Sequence, residues 1–159
     1  MKRILYFMAV VMPLMFFLES CDKNPEDTGA TGLDISGEWQ LKTVSSIEQS
    51  EGLSIYIDFD PEGSFVLFQK VGEGRYRYYE GIYSIDGDVL DGKYSDGHNF
   101  AVQYKVRKEK SGERLVLVPL SGEPREREYD AVTIPYEVRK EAVPHLMKSN
   151  NPKISQYVL

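Results

Sequence analysis

Leu53-Ser54-Ile55-Tyr56-Ile57-Asp58-Phe59, then Asp60-Pro61-Glu62-Gly63, then Ser64-Phe65-Val66-Leu67-Phe68-Gln69-Lys70 is the stretch on which the fold class turns. Leu53, Ile55, Ile57 and Phe59 recur at every second position, the period of a strand with one buried face. Between the two apolar runs, proline sets φ and glycine supplies a positive φ, which makes a tight turn. Phe65 and Leu67 then share one face of the returning strand. Two alternating runs joined by four turn residues read as a β-hairpin.

The same grammar extends in both directions. Upstream, Trp39, Leu41 and Thr43 share a face of a first strand that begins at Gly37. Downstream, Val71-Gly72-Glu73-Gly74 is a glycine-rich loop before a long fourth strand, Arg75 to Ile85, in which Gly81 marks an expected bulge or bend. Asp86-Gly87-Asp88 opens another hairpin, and Val89 to Ser95 is the fifth strand. Asp96-Gly97 turns into a sixth, where Phe100, Val102, Tyr104 and Val106 alternate with polar residues. Ser111-Gly112 leads to Leu115–Val118, and the eighth strand is expected from Arg125 to Ile134. Tyr136 to Met147 is a helix candidate interrupted by Pro144, followed by a tail.

Eight sequential strands with short connections predict an all-β chain folded as an eight-stranded antiparallel up-and-down barrel, with a short C-terminal helix or tail. A two-sheet sandwich is the competing arrangement. The expected interior is Trp39, Leu41, Ile55, Ile57, Phe65, Leu67, Tyr83, Ile85, Leu90, Tyr94, Phe100, Val102, Tyr104, Leu115 and Leu117. A ring of eight strands either fills itself with side chains or holds one small ligand.

Gly37-Glu38-Trp39 at the head of the first strand resembles the G-x-W signature of the lipocalin and fatty-acid-binding superfamily. Gly81-Ile82-Tyr83-Ser84-Ile85-Asp86-Gly87, with Leu90 and Gly92, resembles the lipocalin-like lipoproteins of Bacteroidetes. The resemblance covers roughly residues 35–135 and implies a lipocalin-like barrel. It also implies that Trp39 closes one end under an arginine of the last strand, for which Arg125 and Arg127 are the candidates.

The first 20 residues carry an address. Lys2 and Arg3 precede an apolar run from Ile4 to Leu18, which is short for a bilayer crossing and suits a secretory signal. Leu18-Glu19-Ser20-Cys21 resembles the bacterial lipobox, so residues 1–20 are expected to be a signal peptide and Cys21 the acylated first residue of the mature chain. Cys21 is the single cysteine, so no disulfide within the chain competes for it. Two or three acyl chains on one residue hold stably to a membrane. The expected location is the bacterial envelope, with the outer membrane foremost and the leaflet left open. Residues 21–34, with Pro25, Gly29 and Gly32, read as a flexible tether. The domain then occupies 35–135, and the helix or tail 136–159.

Two cations and one anion leave with the signal, so the formal charge goes from −6 to −7. An acidic chain lacks the basic face that nucleic acid demands. No catalytic set, metal site or cofactor motif is legible. His98 and His145 have no cysteine or second histidine at ligand spacing. Asp58 and Asp60 read as an outer strand face and a turn initiator rather than as paired carboxylates. Asp86, Asp88 and Asp91 lack the spacing of an EF-hand, and Gly72 and Gly74 are not followed by the elements of a phosphate loop.

The tyrosines carry what functional weight there is. Eleven occur in the chain, and alternation puts Tyr79 and Tyr83 on one face of the fourth strand, with Tyr76 and Tyr78 on the other. Tyr79, Tyr83, Tyr94 and Tyr104 are the candidate ligand-binding residues, each an apolar ring with a polar tip. They suit a small apolar or amphipathic ligand with its polar end at the barrel mouth. The alternative is a protein-interaction or inhibitor module that works through the outer surface of a filled barrel, for example against a basic host enzyme. An enzyme ranks last.

Overall fold

A computed structural model describes residues 32–42, 52–122, 125–145 and 159. Residues 1–20, Cys21, most of the tether, Thr43 and the tail from 146 to 158 lie outside them. Among the described residues there are nine strands, one α-helix and a single 3-10 turn at Lys110–Gly112: β1 (Gly37–Leu41), β2 (Ser54–Phe59), β3 (Ser64–Lys70), β4 (Arg77–Asp86), β5 (Val89–Tyr94), β6 (Tyr104–Glu109), β7 (Arg114–Pro119), β8 (Arg127–Ala131), α1 (Tyr136–Glu141) and β9 (Val143–Pro144).

Each of the first eight strands pairs antiparallel with its neighbour in sequence, and β8 returns to pair with β1. The pairing of β3 with β4 completes the ring, which removes the sandwich from consideration. The chain is an eight-stranded up-and-down barrel. Closure pairs the strands of the ring on both sides, apart from the start of β4 and the end of β5.

Registers show what each end contains. At one end lie the 60–63, 86–88 and 110–113 turns, the start of β1 and the end of β8. Trp39 stands there, opposite Ile57 and Ala131. It is 2% exposed, and its indole N–H donates to the Ile35 carbonyl at 2.9 Å. Gly37 holds φ +130°, with the indole under 4 Å from where a Cβ would project, so glycine suits the entry to this strand. Ile35 is buried below the indole. The backbone N–H of Leu33 bonds to the Gly87 carbonyl, so the chain is already pinned to the barrel within the expected tether.

The other end carries the loops after β1, β3, β5 and β7. Here the strands depart from expectation. The sixth strand begins at Tyr104, not Phe100. Residues 99–100 fold back on β5: Asn99 bridges to Lys93, and Phe100 N–H donates to the Gly92 carbonyl at 2.8 Å. That brings the Phe100 ring to 2.4 Å from where a Gly92 Cβ would stand, so the glycine makes room for it. Gly81 is not a bulge, because its register is continuous with Phe65 on β3 and Tyr94 on β5. It is a point of close approach, where an added Cβ would lie 2.3 Å from the Lys93 carbonyl oxygen.

β8 is shorter than expected. After Ala131 the chain leaves the ring, and Ile134 joins a second apolar cluster outside it, with Tyr56, Phe68 and Val138. This is the seat of α1, on the outer wall of β2 and β3. The carboxylate of Glu38 accepts the Ile134 N–H, and Arg139 bridges Glu38 (2.7 Å) and Asp58 (2.8 Å). The helix stops at Glu141, well short of Met147. Residue Ala142 is extended, and β9 follows. Pro144 disfavours a helical conformation at Val143, so the chain has left the helix where these two residues pair as a strand.

All fifteen residues of the expected interior belong to one cluster, fully or partly buried. Trp39→Ala should destabilise the domain by about 3–5 kcal/mol, as truncation of a buried aromatic does. Urea unfolding followed by circular dichroism measures it, and a loss under about 1 kcal/mol would place the indole outside the core.

Candidate functional site

β4 changes partner half-way along. Residues 81–86 pair with β5, whereas residues 77–82 pair with β3. The β5 side of Arg77 and Tyr78 is therefore left open, and β9 fills it, running parallel with Val143 opposite Arg77 and Pro144 opposite Tyr78. His145 continues this line. Its N–H bonds to the Tyr78 carbonyl at 3.0 Å, and its ring stacks on Tyr79 with centroids 4.5 Å apart. Burial lowers the histidine's pKa, and the positive Arg77 adds to the effect against an opposing pull from Asp96.

Tyr79, Tyr94 and Tyr104 converge inside the open end. Tyr79 and Tyr94 meet edge to face at 6.1 Å, and Phe65 and Phe100 complete the cluster at 5.5 Å from Tyr94. All three tyrosines are buried, and burial raises each phenol's pKa. Tyr94 shifts furthest, so it stays a neutral donor and acceptor throughout the physiological range.

Tyr83 does not join them. It stands four residues along β4 from Tyr79, about 13 Å at strand rise. Its hydroxyl donates to the Asp60 carbonyl, and its ring meets Phe59 edge-on at 4.9 Å. It braces the 60–63 turn at the closed end.

Arg125 and Arg127 do not cover Trp39. Ala131 is the β8 residue opposite Trp39, whereas Arg127 lies opposite Leu117, four residues toward the open end. The cation over the indole is Lys108 of β6, 5.7 Å from the ring centroid.

Leu159 occupies the lumen. It is completely buried and belongs to the interior cluster. Its N–H donates to the Tyr94 hydroxyl at 3.2 Å, and its carbonyl accepts from that hydroxyl at 3.3 Å and from the Ala101 N–H at 3.2 Å. The lumen thus receives an aliphatic group with a polar backbone beside it, supplied from outside the eight strands.

Two cavities flank Tyr79. One of about 120 Å³ lies along the β4–β5 seam, between Tyr78, Tyr94, Asp96 and His145. The other, about 330 Å³, opens at the mouth between Gln69, Val71, Gly74, Arg75, Arg77, Tyr79 and Val143. That size falls in the range of small-molecule sites, roughly 300–1,000 Å³.

Sequence reasoning missed Arg77, Gln69 and Tyr129. Stepping back by two from Tyr79 puts Arg77 on the lumen-facing row, and from Leu67 forward the same step reaches Gln69. Tyr129 is fully buried between Arg127 and Ala131. No signal in the sequence brings Leu159 or His145 to the barrel. Among the described residues no three of His, Cys, Asp and Glu converge as metal ligands. The bland reading of the acidic pair agrees with the geometry: Asp58 holds Arg139, and the Asp60 carboxylate accepts the Glu62 N–H within its turn.

Comparison of the chain with protein-family models, with curated proteins and with solved structures returns no match.

A histidine whose pKa falls below 6.5 on folding contributes stability that is present above that value and lost as pH drops through the lower folded one. The wild-type domain should lose more stability than His145→Gln between about pH 7.5 and pH 5. Urea unfolding at the two pH values tests this, and equal losses would detach His145 from the fold's stability.

Proposed function

We propose that the protein is a membrane-anchored lipoprotein of the bacterial envelope whose barrel takes a small amphipathic ligand. The apolar part of the ligand lies in the open half of the lumen, among Tyr79, Tyr94 and Tyr104, and its polar end at the mouth. The observation that carries this reading is Leu159. A leucine from outside the meander is buried in the lumen, with both backbone polar groups satisfied by the Tyr94 hydroxyl. An interior that receives one branched aliphatic group with an adjoining polar end has the shape and chemistry to receive another.

The anchor supports the same reading from the other direction. The lipobox-like Leu18-Glu19-Ser20-Cys21 assigns acylation to Cys21. The chain enters the barrel through Gly32–Ser36 at the Trp39 end, so the mouth is at the end remote from the tether's attachment.

One observation favours the second reading, a surface-acting module with no ligand. The closed half of the lumen is packed with rings: Phe59 meets Tyr83 at 4.9 Å, and Trp39 is buried beside them in the same cluster. The two cavities beside Tyr79 lie toward the open end.

Native mass spectrometry of protein made in its own host, followed by lipid extraction, separates the two. A co-purifying amphiphile near one equivalent is expected, and a clean unliganded mass would favour the surface reading. Cys21→Ala should move the protein from the membrane to the soluble fraction. If it stays with the membrane and labelled fatty acid never enters the wild type, the anchor is wrong.

A further inference from the structure

Arginines in this fold are generally neutralised. Arg107 bridges Glu109 and Glu126, Arg114 bridges Glu128 and Asp130, and Arg139 bridges Glu38 and Asp58. Arg75 and Arg77 hold no carboxylate among the described residues, although acids outnumber bases in the chain by 25 to 19. Both line the same 330 Å³ cavity at the mouth, and no carboxylate lines it among the described residues. Arg75 is exposed and Arg77 partly buried, and an anion in the cavity that both line would be attracted to both.

A third group points to the same place. Gln69 is the direct cross-strand partner of Arg77, on the row that continues from Leu67 and Tyr79. Its side-chain oxygen is buried and has no hydrogen-bond donor. Oxygen and nitrogen of an amide exchange on a half-turn of the side chain, so the group can present N–H to the cavity instead. On the opposite wall, Arg127 stands in register with the buried Leu117, two residues before the buried Tyr129, and its charge acts on Tyr104. The mouth cavity thus carries Arg75, Arg77 and Gln69 beside the buried Tyr79.

We infer that Arg75, Arg77 and Gln69 form an oxyanion site that holds the carboxylate or phosphate end of a ligand at the barrel mouth. The guanidinium fork matches both groups, with two parallel N–H donors for two oxygens. This rests on the ligand reading above and deepens it, because it makes the polar end of the amphiphile an anion. Among the described residues the two arginines meet no carboxylate, which leaves their donors to a ligand.

Isothermal titration of the mature domain with three probes of equal chain length tests it: dodecanoate, dodecyl phosphate and dodecanol, each below its micelle concentration. Acetate and inorganic phosphate serve as the same anions without a chain. The anionic amphiphiles should bind roughly tenfold or more tighter than dodecanol at low salt. Arg75→Gln with Arg77→Gln should abolish that preference by bringing the anionic probes down to the affinity of dodecanol, while Arg77→Lys keeps part of it. Thermal unfolding checks that the variants fold.

If acetate or phosphate alone binds as tightly as the chained probe and is lost in the double variant, the site stands and its source is a free anion. Equal binding of dodecanoate and dodecanol, unmoved by the double variant, overturns the oxyanion site and leaves the ligand reading in place. Failure of every probe to bind overturns both.

Discussion

A ring of eight strands encloses room for about one layer of side chains, and everything else in this molecule follows from how that room is divided. The closing pairs Trp39–Ala131, Gln40–Asp130 and Leu41–Tyr129 join the last strand to the first and fix the circumference. With the circumference fixed, each large ring placed inside excludes something else. Trp39, Phe59 and Tyr83 spend the volume of one end on packing. At the other end the tyrosines are set back far enough that a residue from beyond the barrel enters between them.

The second dependence is on the chain after β8. The meander alone does not complete the wall, because β5 diverges from β4 beyond Gly81 and pairs with β6 through two residues, Val89 and Leu90. β9 and His145 cover the gap, and Leu159 fills the space behind it. α1 holds the start of this segment to the outer wall through Arg139, with Glu38 and Asp58 as partners on β1 and β2. The same wall thus ties the closed end, the helix and the plug of the open end into one unit. Loosening β9 exposes the seam beside Tyr79, which is the side of the lumen that the mouth cavity adjoins.

Strand order and the lumen-facing residues were legible because period-two alternation and turn glycines are local signals. Phe65, Leu67, Leu115 and Leu117 announce their side by spacing alone, and eight such runs with short connections leave few ways to close. Tertiary contacts decided the rest. Phe100 continues an alternating pattern, yet it turns under Gly92 because a glycine on the neighbouring strand leaves a ring-sized space. Arg127 matched an arginine expected over Trp39 by strand number, but a register that places Ala131 opposite Trp39 sends Arg127 to the other end. Tyr83 and Tyr79 share a face, but four residues of strand separate them along the barrel axis. Of the candidate site, three tyrosines were legible. Arg77 and Gln69 were within reach of the same alternation, whereas Leu159 and His145 arrive from a segment with no periodicity of its own.

Leu159 is buried among the rings of the upper lumen, in the space the proposed ligand would enter. Methyl-selective NMR of leucine-labelled protein measures it directly. The Leu159 methyls should show ring-current shifts and contacts to the Tyr79, Tyr94 and Tyr104 rings, and titration with dodecanoate should move them toward their solvent-exposed positions as the ligand enters. Leu159 methyls that resonate at exposed positions from the outset, or that keep their ring contacts while dodecanoate binds elsewhere, would contradict it.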